Sequence, residues 1–87
     1  MEVVVYKRVT MKVNVLIFGP LKDVTGTNTC QVTDVRDTDE MLHKLNHIYP
    51  DLAHKKFLIA VQKEIVQANT PLFDNFTVAL LPPYSGG

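Results

Sequence analysis

Met11-Lys12-Val13-Asn14-Val15-Leu16-Ile17-Phe18-Gly19-Pro20 is a β-branched run of period two, closed by a Gly-Pro turn signal. Val13, Val15 and Ile17 alternate with Asn14, Leu16 and Phe18. A strand over Met11–Gly19 therefore turns its valine side to a core and leaves Leu16 and Phe18 on the opposite side. The counterpart is Phe76-Thr77-Val78-Ala79-Leu80-Leu81, in which Val78 and Leu80 share the inward face and Ala79 and Leu81 point out. These two segments are the most apolar of the predicted strands, so they read as central neighbours in one sheet.

The chain between them reads as one short strand, a helix and a hairpin. Leu21–Thr25 has room for one helical turn before Gly26, and Thr29–Asp34 is a short strand with Cys30 and Val32 on one face. The spacing predicts the main helix over Thr38–Tyr49. Asp37 with Glu40 three residues on has the form of a capping box, and Met41, Leu42, Leu45, Ile48 and Tyr49 make one apolar stripe. Pro50 ends it, because the residue before proline is pushed out of the α region. Phe57–Gln62 and Ile65-Val66 are strands joined by a turn near Lys63-Glu64. A hairpin, a crossing helix and returning strands make an α+β domain. The fold class is β-grasp (ubiquitin-like), a mixed sheet of about five strands with one main helix packed on one face. Residues 11–81 are expected to form that domain. Residues 1–10 read as a disordered N-terminal extension, with Val3-Val4-Val5-Tyr6 as a possible edge strand, and 82–87 as an extended tail.

Composition excludes several classes of function. Nine Lys plus Arg balance nine Asp plus Glu in 87 residues, so no bulk charge draws the chain to nucleic acid or anionic lipid. A lone Cys30 makes no internal disulfide, which suits a reducing, cytoplasmic setting. No apolar run approaches the ~20 residues of a membrane span. Neither a phosphate loop nor a nucleophile elbow occurs, so no nucleotide chemistry is expected from this chain alone.

Leu81 is followed by Pro82-Pro83-Tyr84-Ser85-Gly86-Gly87. Two prolines supply no N–H, so the ladder stops at Leu81 and the chain leaves as a polyproline-like stem. Six extended residues reach roughly 20 Å. Gly86 and Gly87 lack Cβ atoms and pass through a channel closed to other residues. A carboxylate at such a tip is a poor electrophile until it is activated, for instance by adenylation. Without a partner, the same residues are a frayed terminus or a scar.

Val78-Ala79-Leu80-Leu81-Pro82-Pro83-Tyr84-Ser85-Gly86-Gly87, with Phe73-Asp74 before it, resembles the ending of the small, sulfur-carrier subunit of molybdopterin synthase (MoaD/ThiS type). The Ala60–Val66 hairpin and the Val13–Phe18 strand with Leu21 are similar to that family too, so the resemblance covers residues 11–87. Gln62 stands where the family usually has asparagine, and Asn75-Phe76 where Gly-Asp is common. Both departures fall in turns.

The resemblance implies that an E1-like enzyme using ATP and Mg²⁺ adenylates Gly87, and that a sulfur donor makes it a thiocarboxylate. The tail, Pro82, Pro83, Tyr84, Ser85 and Gly86, would thread into the synthase large subunit and deliver sulfur to cyclic pyranopterin monophosphate. This chain would hold no cofactor, and two copies would flank a dimer of large subunits as a heterotetramer. Carriers for thiamin-thiazole or tRNA thiolation share the chemistry but usually lack the Pro-Pro stem. A ubiquitin-like modifier or plain interaction module is the reading of a different class.

Strand parity places Phe18, Ile65 and Leu81 on one outward apolar patch beside the root of the tail, a docking surface unless a loop or residues 1–10 cover it. The family's docking surface falls on the same positions. Cys30 reads as a small buried hydrophobe. His43 and His47 have a spacing that zinc accepts, but only a loose His54 offers a third ligand, which favours a solvated helix face.

Overall fold

Val13, Val15 and Ile17 are buried along one side of β1 (Lys12–Ile17), as their alternation requires. The computed structural model describes residues 11–83. α1 (Leu21–Thr25) and β2 (Thr29–Thr33) follow β1, and α2 (Thr38–Ile48) then crosses to a 3₁₀ turn over Pro50–His54. β3 (Leu58–Val61), β4 (Glu64–Val66) and β5 (Thr77–Leu81) complete the sheet. Its order is β2-β1-β5-β3-β4, with β1 and β5 parallel and the other neighbours antiparallel. This is the β-grasp arrangement, and the two most apolar strands are its central pair.

The core lies between the sheet and α2. Met41 and Leu45 of the helix pack with Val13, Val15, Ile17, Val78 and Leu80. Cys30 and Ile59 flank that cluster from the neighbouring strands. Each fully buried Val, Leu or Ile contributes roughly 1.5–3 kcal/mol relative to exposure. Leu52 from the 3₁₀ turn and Val35 and Leu72 from loops are also fully or nearly fully buried. Periodicity has no purchase on such isolated loop positions.

Three details differ from the sequence expectation. Ile48 is 57% exposed: it lies at one margin of the helical stripe, in the last turn, and Leu52 fills the core beyond it. The hairpin turn falls at Gln62-Lys63, with φ of 50° and 71°, one residue earlier than expected. The cap is also not a reciprocal box. Asp37 accepts from the Glu40 N–H at 2.9 Å, but the Glu40 carboxylate reaches past Asp37 to the Arg36 N–H at 2.8 Å.

The remaining helix-start N–H groups find a loop. Thr38 N–H donates to the Thr70 carbonyl at 2.9 Å, and Asp39 N–H to Asn69 Oδ1 at 2.9 Å. The first three helical N–H groups of α2, those of Thr38, Asp39 and Glu40, are thus all paired. No helix among the described residues is long and apolar enough to cross a membrane.

Candidate functional site: the outer sheet face and the root of the tail

Register sets the outer face of the sheet. Leu16 lies opposite Ala79, Ala79 opposite Ala60, and Ala60 opposite Ile65. Leu81 is opposite Leu58. In directly opposed pairs the side chains share a side, so one apolar row runs across four strands. The two alanines are short, and they form the floor of a depression of about 730 Å³ whose walls include Leu16, Phe18, Ile65 and Leu81. Phe18 is 44% and Ile65 56% exposed, an unusual placement for side chains of this size.

The three docking residues expected from parity, Phe18, Ile65 and Leu81, are thus brought to one depression. Phe18 is fixed there by its N–H, which donates to the Leu80 carbonyl at 3.1 Å. Ala60 was not singled out in the sequence. Its role follows only from the register, because a small residue makes a floor only when larger ones stand around it.

One rim of the depression is the strained turn. Gln62 and Lys63 both occupy the left-handed region, which asparagine and glycine enter most easily. Gln62 compensates with two bonds to Thr77. Its N–H donates to the Thr77 carbonyl at 2.9 Å, and its Oε1 accepts the Thr77 N–H at 2.6 Å. Asn75 is likewise left-handed at φ 66°, which explains why a glycine is at home at this turn.

At the end of β5 the chain turns into Pro82 and Pro83. Pro82 packs on Gly19, where an added Cβ would meet Pro82 Cγ at 2.8 Å. Pro20, Leu21, Lys55, Lys56, Pro82 and Pro83 border one small hollow at this root. Tyr84, Ser85, Gly86 and Gly87, and residues 1–10, lie outside the described residues.

The side chains with reactive potential are elsewhere or quiet. Burial pushes the Cys30 thiol above its ordinary range, so less of it is thiolate at neutral pH. The Glu40 carboxyl is held low by its hydrogen bond from the Arg36 side chain, in an ion pair of 3.2 Å. Among the described residues no three His, Cys, Asp or Glu side chains gather to hold a metal.

The chain is similar to known proteins in both sequence and fold. Residues 15–87 match the ThiS family. The molybdopterin synthase sulfur carrier subunit of Chlamydomonas reinhardtii is 32% identical over 83 residues, covering 88% of this chain and 100% of that protein. Among solved structures, the complex of subunits 1 and 2 of molybdopterin-converting factor from Helicobacter pylori contains a similar chain. It is 29% identical with a TM-score of 0.70, over 88% of this chain and 100% of that one. A putative molybdopterin converting factor subunit 1 from Pyrococcus furiosus shares the fold, with a TM-score of 0.76 at 17% identity over 85% of this chain and 99% of that one.

Proposed function

The chain belongs to the ThiS family, and on that premise we propose that it is the sulfur-carrier subunit of a molybdopterin synthase. One observation carries the proposal: the exposed apolar depression is built around β5, and the same strand runs directly into the Pro82-Pro83 stem. A partner docked on Phe18, Ile65 and Leu81 would thereby be placed over the departing tail. The similarity to the algal sulfur carrier and to a chain of the two-subunit Helicobacter complex favours a synthase large subunit as that partner.

The chemistry we assign to the chain is carried by Gly87. Its carboxylate oxygen attacks the α-phosphorus of ATP in an E1-like partner that supplies Mg²⁺, and pyrophosphate leaves. A sulfur nucleophile then displaces AMP and leaves a thiocarboxylate. Pro82 and Pro83 stiffen the approach, Tyr84 and Ser85 extend it, and Gly86 admits it to a narrow channel in the large subunit. There the sulfur is passed to cyclic pyranopterin monophosphate, and two such transfers complete the dithiolene. The thiol of Cys30, raised by burial, supports a sulfur path that bypasses this residue.

Intact mass tests the proposal. After incubation with ATP, Mg²⁺, the activating enzyme and a sulfur source, the chain should gain the mass difference between sulfur and oxygen. Removal of Gly87 should abolish that gain. The sulfurated chain mixed with the large subunit should then convert cyclic pyranopterin monophosphate to molybdopterin. Conjugates to lysine without any sulfuration would replace this proposal by a modifier function.

A further inference from the structure

The end of the sheet from which the tail departs carries lysines that docking through an apolar patch does not require. Lys55 and Lys56 border the hollow that contains Pro82 and Pro83. The antiparallel ladder of β3 and β5 ends at the pair Leu58 and Leu81, so Lys55 and Lys56 precede β3 at the same end of the sheet where Pro82 and Pro83 leave it. Lys22 borders the groove beside Phe18, with Leu16 and Asn28. Three ammonium groups therefore stand around the stem and the adjoining edge of the apolar depression. Among the described residues the single ion pair is Arg36 with Glu40, so none of these three lysines is paired with a described carboxylate. Asp23 and Asp51, on the flanking α1 and 3₁₀ turn, bond to none of them.

Most of the acids lie at the other end. Asp34, Asp37, Asp39 and Glu40 follow β2, where Asp34 N–H donates to the Met11 carbonyl. Asp74 accepts the Lys12 N–H at the same place. β1 and β5 are parallel, so this end is the one farthest from Pro82. Glu64 is the one acid within the five strands, and it pairs with Val61 on the inner side, leaving the docking face free of carboxylates. Lys12, Arg36 and Lys44 offset three of those five carboxylates, so among the described residues that end keeps a small excess of acid, whereas Lys22, Lys55 and Lys56 outnumber Asp23 and Asp51 where the stem leaves.

We propose that Lys22, Lys55 and Lys56 form a cationic collar that engages carboxylates around the mouth of the protein channel the tail enters. The inference rests on the tail-insertion function above and adds the partner's chemistry, an acidic lip around an apolar seat. Exposed rim charges act mainly on association: they orient the incoming molecule, and salt weakens them. The collar would present the chain tail first. Its pull fades beyond the Debye length of about 10 Å at 0.1 M salt.

The test is the association kinetics of the full chain with its cognate molybdopterin synthase large subunit at low and high salt. Four chains are compared: wild type, K22E/K55E/K56E, K22R/K55R/K56R and L81D. Charge reversal should slow association about tenfold or more at low salt, with little change in dissociation, and the deficit should close at high salt. The arginine variant should behave as wild type, which separates charge from folding. Wild-type association by the reversed variant at low salt, or a deficit that persists at high salt, would overturn the collar. Normal association with slowed adenylation would also overturn it, by assigning the lysines to nucleotide chemistry. If L81D binds as wild type, the docking-face assignment fails while the collar is judged on its own salt dependence. If wild type does not bind the large subunit, both fall.

Discussion

Gly19→Ala measures how firmly the root of the tail is built into the fold. Gly19 has φ +63°, and an added Cβ would come to 2.8 Å from Pro82 Cγ. Two costs follow. Placing alanine in the left-handed region costs about 1–2 kcal/mol. The clash adds a second, because a proline ring does not rotate away as a flexible side chain does. Either the Leu81–Pro82 backbone or the Gly19-Pro20 turn must shift, and overpacking of this kind costs about 1–3 kcal/mol. The sum is roughly 2–5 kcal/mol, a large share of the ~5–15 kcal/mol that holds a small domain.

Gly26→Ala is the internal control. Gly26 has φ +74° with nothing within 4 Å of an added Cβ, so only the conformational cost of about 1–2 kcal/mol applies. Urea unfolding of G19A, G26A, P82A and G19A/P82A completes a double-mutant cycle. Pro82→Ala removes the Cγ and should return about 1–3 kcal/mol to G19A. If G19A is no more destabilising than G26A, or P82A restores nothing, Gly19 does not hold the tail root by close contact. The displaced root should also lower sulfur delivery by folded G19A more than by folded G26A.

Leu81→Asp and Phe18→Asp should each weaken assembly with the large subunit by tenfold or more while far-UV circular dichroism stays unchanged; unaltered affinity would remove the depression as the docking face. Lys63→Gly should raise stability by about 1 kcal/mol in urea, since it relieves a left-handed non-glycine residue at φ 71°; a loss would mean the lysine side chain stabilises the turn. Cys30 should alkylate more slowly than the same thiol in urea-unfolded chain, because burial raises its pKa. That raised pKa also gives a stability contribution that is present below the unfolded thiol's pKa and lost as pH rises through the folded value. Equal alkylation rates folded and unfolded would contradict the burial of Cys30.

Much of the fold was legible because its signals are local. The valine alternation of β1, the Asp37 cap and the Pro50 stop each act within a few residues, and each falls where the sequence puts it. The errors lie where local patterns compete. Ile48 stands at the margin of the helical stripe and stays exposed, and Leu52 supplies apolar surface from an element with no helical period. Gln62 carried no turn signal, since its left-handed backbone is compensated by Thr77, fifteen residues away. No propensity scale registers a bond across that separation.

The site divides in the same way. Phe18 and Leu81 announced their outward direction by parity within their own strands. The depression they line exists only because the register brings Ala60 and Ala79 side by side between them. The contact of Gly19 with Pro82 joins opposite ends of the domain sequence, and neither residue alone implies it. Charge behaves likewise: equal totals of acid and base conceal a modest bias, with acids in excess beside the start of β1 and lysines in excess beside the root of the tail. Lys55 and Lys56 look like ordinary solvated residues before β3 until the fold shows them bordering one hollow with the proline stem. The sequence therefore discloses the means of leaving the sheet at Leu81, whereas the surroundings of the departing tail are a property of strand pairing. That is why the functional face must be tested by reversing charges and filling contacts at paired positions, and not by deleting the tail alone.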